Sequence, residues 1–382
     1  MRRGIRRAKE RGHRAKLRNG RTFSRPRAAR QNMSDGTSSP SEWQPLVANS
    51  IEDLLRMNMR PLAALQHRDI PAIVVRGVLP ASESTAVAGR LLKQHWTNMK
   101  AGYFKIGVEL HDYLINLKFS TRDRLTSQKQ TSASSSSSVQ RQHLYPNELA
   151  ASEGYANATA RMSSHYSTAG LWPAVAALHR VLEELHVAGR NSSSAKEAAF
   201  RTLAPGMFRR QNPGNVFTPH ADTLHSADWP AKCFPSPRRP PPDSAGAPGP
   251  AAGRAFHDMV RFRDQFSALV MLQAPGDGSR DQGEPQVQIF DAHYRELAAG
   301  ACSLARGNPY SVGIAFSDWH APHARANRTR AHVRALNLSL QPGDVYVFNS
   351  NLVHEVLRVP PGPPRLTLGS FVGYSASEMR VW

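Results

Sequence analysis

The chain is poor in cysteine: only Cys233 and Cys302 occur in 382 residues. That excludes a disulfide scaffold and predicts a reducing compartment. No run of eighteen apolar residues occurs, so no transmembrane helix and no membrane partner are predicted. The N-terminus lacks the apolar stretch of a secretory signal. These absences predict an intracellular, cytoplasmic protein. No internal repeat is visible. Acidic residues are also scarce, with 29 Asp and Glu against 49 Lys and Arg, a formal net charge of +20. Such an excess points first to an anionic partner, such as nucleic acid or a membrane surface. The apolar fraction of 40% is adequate for a core, so the chain is not disordered throughout. Its length allows two or three domains, or one large domain with appendages.

Position changes the meaning of the charge. Residues 1–32 hold thirteen Lys and Arg against one acid, Glu10, a local net of +12. The other 350 residues carry only +8. The excess is therefore mostly a property of the tail. Three readings of it stay open: a nucleic-acid-binding arm, an organelle transit peptide, or a start at Met33. Arg outnumbers Lys 40 to 9, which looks like compositional drift as much as selection for anion binding.

Residues 1–49 are polar and unpatterned and read as a basic disordered tail. Residues 50–203 read as a mainly helical support region. Ser50 and Asp53 have capping-box spacing ahead of a helix, with Ile51, Leu54 and Leu55 following at helical spacing. Residues 71–79 read as a strand, 82–94 as an amphipathic helix and 173–188 as a helix. A Ser-rich loop is expected over 126–140. Residues 204–382 change character, with short apolar stretches alternating with turns. Strands are expected at 216–221, 266–273, 286–291, 311–316, 335–340, 345–349, 353–359 and 365–374. A Pro-rich insertion is expected at 236–254.

The informative residues lie in that second region. His220 and Asp222 are two apart, so on a strand an imidazole and a carboxylate project from the same face. His354 follows a Pro342-Gly343-Asp344 turn and an apolar strand. Arg365 and Thr367 come one strand later. Two His and one carboxylate on a β scaffold occupy one face of an octahedron and leave three positions open, as in non-haem Fe(II) oxygenases. Each piece alone is a weak signal; the ordered combination is a strong one.

In NPGNVFTPHAD, FSALVMLQ, GEPQVQIFD, PGDVYVFNSNLVHEV and RLTLGSFVGY, residues 205–376 resemble the catalytic domain of the 2-oxoglutarate/Fe(II)-dependent dioxygenases, in the prolyl-4-hydroxylase-like branch. The resemblance implies a mainly β fold with supporting helices around a double-stranded β-helix, or jelly roll. It implies that His220, Asp222 and His354 hold Fe(II). It implies that Arg365 pairs with the distal carboxylate of 2-oxoglutarate, with Thr367 hydrogen-bonding the same group. O₂ is the third cofactor, and ascorbate is a candidate reductant. Many relatives have a tyrosine contacting the cofactor before the residue corresponding to Pro213; here Asn212 stands there and can still donate a hydrogen bond. Relatives often show Gly-Glu-Leu where this chain has Glu284-Pro285. Related halogenases replace the carboxylate ligand with Gly or Ala, so Asp222 favours hydroxylation. Related nucleic-acid dealkylases carry a second Arg six residues after the first. Here Phe371 occupies that position, which argues against a nucleic-acid substrate.

Other candidates read more plainly. His225 lies off the His220/Asp222 face. His320 and His323 form an HxxH without an adjacent Glu or Cys pair, a poor zinc signature. Asp291 and His293 read as a hairpin end near Tyr294. Cys233 and Cys302 lack CxxC spacing and read as packed or loop thiols. Trp319 and Trp382 could line a pocket but read as core.

The expected activity is hydroxylation of an unactivated C–H bond in a small metabolite, an amino acid or a prolyl peptide, with release of succinate and CO₂. The C-terminal RLTLGSFVGYSASEMRVW resembles endings of metabolite-oxidising bacterial relatives and favours a small molecule. The alternatives are a non-enzymatic jelly-roll binding module and a basic nucleic-acid-binding protein acting through residues 1–32. Nothing in the sequence specifies an oligomeric state.

Overall fold

Alternating side chains in the second half of the chain face two different apolar environments, and that alternation builds a pair of sheets. The computed structural model describes residues 43–57, 59–99, 103–107, 155–188, 199–222, 262, 264–275, 284–297, 313–315, 333–375 and 378–382. Residues 43–382 form one compact unit. The Ser-rich stretch 126–140, the Pro-rich stretch 236–254 and residues 1–42 lie outside the described residues.

The chain opens with β1 (Leu46–Ala48), α1 (Ile51–Arg56), α2 (Pro61–His67), β2 (Ala72–Val75), α3 (Ala81–Leu92), β3 (Thr97–Met99) and β4 (Tyr103–Ile106). Then come α4 (Tyr155–Thr168), α5 (Trp172–Ala188), β5 (Ala199–Thr202), β6 (Met207–Gln211), β7 (Phe217–Asp222), β8 (Asp264–Gln273) and β9 (Val287–His293). The last elements are α6 (Tyr294–Leu297), β10 (Gly313–Ala315), β11 (Ala335–Leu338), β12 (Val345–Asn349), β13 (Leu352–Val356), β14 (Arg365–Ser375) and β15 (Glu378–Val381). Among the described residues the larger sheet runs β1-β2-β12-β8-β14-β6-β4-β3, with β15 joining β14 to β5. The smaller runs β10-β7-β13-β9-β11. This is the expected jelly roll, mainly β with supporting helices. No described helix is long and apolar enough to cross a membrane.

The two faces of the larger sheet are distinct. Phe266, Ala268, Val270 and Leu272 of β8, with Val345 and Val347 of β12, pack in one cluster with Val175, Leu178, Val181 and Leu182 of α5. Leu269 and Met271, with Tyr346 and Phe348, pack instead with Val287, Ile289 and Leu352 of the smaller sheet. Each strand thus serves a helix-covered outer face and an inner face shared by the two sheets.

Local signals explain most element ends. The Ser50 hydroxyl accepts from the Asp53 N–H at 3.0 Å, the predicted cap. The strand expected over 71–79 stops at Val75, because Gly77 turns with φ +56° and donates its N–H to Asp344. The strand expected over 353–359 begins at Leu352 and ends at Val356; beyond it, Leu357 and Val359 hydrogen-bond to Gln286 and Asn215 outside the ladder. The 50–203 stretch also supplies β2, which pairs with β12 in the larger sheet. Strand β6, MFRRQ, was not expected, because two adjacent arginines do not read as a strand.

The Pro342-Gly343 turn positions β12. Gly343 has φ +94°, and a Cβ there would collide with the Leu79 carbonyl oxygen. Its carbonyl accepts from the Leu79 N–H at 3.1 Å, and Asp344 beside it pairs with Arg76. Gly343→Ala is expected to cost about 1–3 kcal/mol in urea unfolding, from the strained φ alone. An unchanged unfolding midpoint would show that the turn does not set this part of the fold.

Candidate metal centre

Strands β7 and β13 pair antiparallel, with His220 directly opposite His354. Asp222 lies two residues beyond His220 and therefore on the same face. The three side chains converge, their candidate ligand atoms all within 4.8 Å of one another. His220 Nε2 is 3.7 Å from Asp222 Oδ1, and His354 Nε2 is 3.5 Å from Asp222 Oδ2. A single first-row ion spans such gaps with bonds of about 2.0–2.2 Å.

Hydrogen bonds set which nitrogen faces inward. His220 Nδ1 donates to the Thr218 carbonyl at 2.7 Å, and His354 Nδ1 to the Leu352 carbonyl at 2.9 Å. Each ring is thereby held in the tautomer that leaves Nε2 as a lone-pair donor toward Asp222. Aromatic edges fix the ring planes, with Phe217 at 4.3 Å from His220 and Phe348 at 4.7 Å from His354.

Electrostatics puts His220 and Asp222 in ligand-ready states. Burial, reinforced by the neighbouring His354, lowers His220 to about 3, although Asp222 works the other way. Burial alone would raise Asp222, but His220 and His354 outweigh it and hold the carboxyl at about 2. Neutral imidazole and ionised carboxylate are the forms that bind a divalent metal. Among the described residues this is the one cluster of His, Cys, Asp or Glu that converges in this way.

Arg365 stands on β14 of the opposite sheet and is 3% exposed. Its Nη1 donates to the Gln286 carbonyl at 3.2 Å and its Nη2 to the Tyr346 hydroxyl at 3.1 Å. Its Nε is buried with no hydrogen-bond partner. Burial lowers its pKa, opposed by Tyr346. Tyr346 stacks on Phe348 at 6.1 Å, and Phe348 meets the His354 ring. A continuous row of contacts, Arg365–Tyr346–Phe348–His354, therefore joins the guanidinium to the triad across the inner face. Thr367, buried at 4% exposure, shares that face two residues along from Arg365.

Asn212 lies just past β6. Its side-chain oxygen accepts from Arg210 Nε at 2.9 Å, and its N–H is held by Asn215. The residue in register with Arg365 is Gln211. Tyr346 and Gln286 were missed by the sequence reading. Tyr346 could have been found from the alternation of the expected strand 345–349; Gln286 contributes through its main chain and leaves no motif. Asp291 is engaged by Arg334 at 2.6 Å, and His293 stacks on Tyr294. Trp382 is buried against Phe262, as a core residue. His225, His320, His323, Trp319, Cys233 and Cys302 lie outside the described residues.

No family model and no curated protein match the chain. Solved structures do. The chain is similar to an N-substituted L-amino acid dioxygenase from Burkholderia ambifaria, at TM-score 0.40 and 15% identity, over 84% of this chain and 89% of that one. It is similar to HygX from Streptomyces hygroscopicus with nickel and 2-oxoglutarate bound, at TM-score 0.35 and 12% identity, over 82% and 87%. It is also similar to a Pseudomonas putida prolyl-4-hydroxylase, at TM-score 0.31 and 13% identity, over 81% and 96%.

The His220 shift has a sign that can be tested. An unfolded His220 takes up a proton near its ordinary 6.5, whereas the folded one stays neutral to about 3. The unfolded chain then binds more protons across that window, so stability falls as pH falls through it. His179, lowered by burial to about 4, adds to the same slope. The metal-free protein should lose Tm steadily from pH 6.5 toward 4, and His220→Gln should flatten the loss. An unchanged slope in that variant would contradict a buried neutral His220.

Proposed function

We propose that the protein is an Fe(II)- and 2-oxoglutarate-dependent dioxygenase that hydroxylates an unactivated C–H bond. The observation that supports this best is the contact row joining a His-Asp-His triad to a buried guanidinium with an unused donor. Two imidazoles and one carboxylate suit Fe(II) and leave positions for a chelating keto acid and O₂. Arg365 Nε, desolvated and unbonded, fits a carboxylate brought to it, because an unsatisfied buried donor costs stability until it is paired.

In this reading His220, Asp222 and His354 hold the iron. Arg365 receives the distal carboxylate, and Tyr346 orients the guanidinium. Thr367 offers a hydroxyl on the same face. Asn212 is the weakest member of the set, since Arg210 already engages its side-chain oxygen. Iron and 2-oxoglutarate bound there would supply the oxidation, with O₂, the keto acid and a substrate C–H giving succinate, CO₂ and the hydroxylated substrate. The chain's own part is positioning and dryness. Val287, Ile289, Leu338 and Leu340 wall the inner face against water. The substrate class follows the small-metabolite, amino-acid or prolyl-peptide expectation, with nucleic acid disfavoured. Residues 204–382 would carry the site, with the preceding helices as support.

Two variants test the roles. His354→Ala should abolish iron-dependent conversion of 2-oxoglutarate to succinate and weaken metal binding. Arg365→Lys turns a fork into a point charge, so it should raise the KM for 2-oxoglutarate roughly 10- to 100-fold while metal affinity holds. Wild-type protein that binds a divalent ion but not 2-oxoglutarate would overturn the proposal.

A further inference from the structure

An aromatic side chain beside the triad is turned inward by an irregularity in the ladder. His220 is opposite His354 and Phe217 opposite Val356, so β7 takes three residue steps where β13 takes two. The extra residue makes a β-bulge, and Pro219, which has no N–H to give a ladder, lies within it. Three steps along a regular strand would set Phe217 and His220 on opposite faces. With the bulge, the Phe217 ring instead meets the His220 ring edge-on, with centroids 4.3 Å apart at 85°. Phe217 also reaches the larger sheet, where Tyr103 of β4 packs against it at 5.7 Å and 76°. Tyr103 is two residues from Lys105, which stands in register with Arg209 and, through it, in a row with Thr367 on the inner face. Tyr103–Phe217–His220 is therefore a second aromatic bridge between the sheets. It differs from the first in exposure. Phe348, against His354, is 3% exposed, whereas Tyr103 and Phe217 are only half-buried.

We propose that Tyr103 and Phe217 form the apolar subsite for the substrate, and that the substrate carries an aromatic ring. The proposal rests on the dioxygenase reading and names the chemistry of that reaction's substrate. Ligand sites are lined mainly by apolar and aromatic side chains, with few polar groups to fix orientation. Among the described residues, Tyr103 and Phe217 are the aromatic pair that both adjoins the triad and reaches solvent. Covering them removes apolar surface from water, a gain that any apolar group shares. The geometry of the pair is what favours a ring over an aliphatic group. Two rings near perpendicular present a face and an edge, so a third ring can meet one offset-stacked and the other edge-on. Because Phe217 borders His220, a ring held on this pair keeps the rest of a small molecule beside the triad.

The test uses the full chain loaded with Zn(II), which is redox-inert, and saturated with 2-oxoglutarate, so that no turnover intervenes. Benzyl alcohol, indole and N-acetyl-L-phenylalaninamide are each titrated beside their ring-saturated counterparts, with Kd read from saturation-transfer NMR. At least one aromatic compound should bind roughly 2- to 10-fold more tightly than its counterpart, the size of an aromatic pair contact. Tyr103→Leu keeps apolar bulk without the ring and should erase that preference. Tyr103→Phe should retain it, and calorimetric affinity for 2-oxoglutarate should be unchanged in both variants. Equal affinity for every aromatic compound and its counterpart in the wild type overturns the proposal, as does a preference undiminished in Tyr103→Leu. A preference lost in Tyr103→Phe overturns it too, by assigning the effect to the hydroxyl. A loss of 2-oxoglutarate affinity in Tyr103→Leu overturns it in another way, by assigning the side chain to the keto acid. If the wild type fails to bind 2-oxoglutarate at all, the dioxygenase reading itself fails and this proposal falls with it.

Discussion

The site depends on the register between β7 and β13. His220 and His354 come from strands 134 positions apart in sequence and meet only because the ladder sets them opposite one another. A slip of one residue would turn His354 to the other face, where Val353 packs with Ala221 and Phe290. The pairing is irregular on either side of His354, with register shifts toward both Leu352 and Val356. Such irregularities re-aim a side chain within an otherwise regular sheet. The strands also choose the tautomer, because each imidazole donates to a carbonyl two residues earlier on its own chain. Position and protonation thus follow from one backbone arrangement.

The second constraint is a buried cation. Burying Arg365 is costly unless its donors are met. The Gln286 carbonyl and the Tyr346 hydroxyl each accept one of its five N–H donors, while Nε is buried with no hydrogen-bond partner. Tyr346 belongs to the apolar cluster between the sheets, so the orientation of the guanidinium is tied to core packing. The same strand carries Phe348 against His354. Strand β12 therefore links the Arg365 guanidinium to the triad through Tyr346 and Phe348, and the Gly343 turn leads into it.

What could be read from the sequence followed the range of each signal. Short apolar stretches set between turns located β7, β8, β9, β12 and β14. The i, i+2 spacing of His220 and Asp222 was local and legible. That of Arg365 and Thr367 was equally local. Strand β6 was hidden because Arg209 and Arg210 interrupt its apolar pattern, and with it went the row that sets Arg209 beside Thr367. Helix α4 was missed because it buries only small or isolated groups such as Ala158 and Tyr166. Asn212 was chosen from its place before Pro213; the register instead sets Gln211 against Arg365, since the strand ends one residue earlier. The contacts of Gln286 are partly main-chain and leave no trace in side-chain chemistry.

The net charge of +20 also divides by position. Residues 1–32 carry +12 of it, whereas Arg365 is buried between the sheets. The most direct test is optical. Fe(II)-loaded protein, kept free of oxygen, is titrated with 2-oxoglutarate and followed in the visible region. Chelation of iron held by His220, Asp222 and His354 predicts a weak charge-transfer band that saturates with 2-oxoglutarate and is absent in Asp222→Ala. Iron binding with no such band at any 2-oxoglutarate concentration would contradict the assignment of the site.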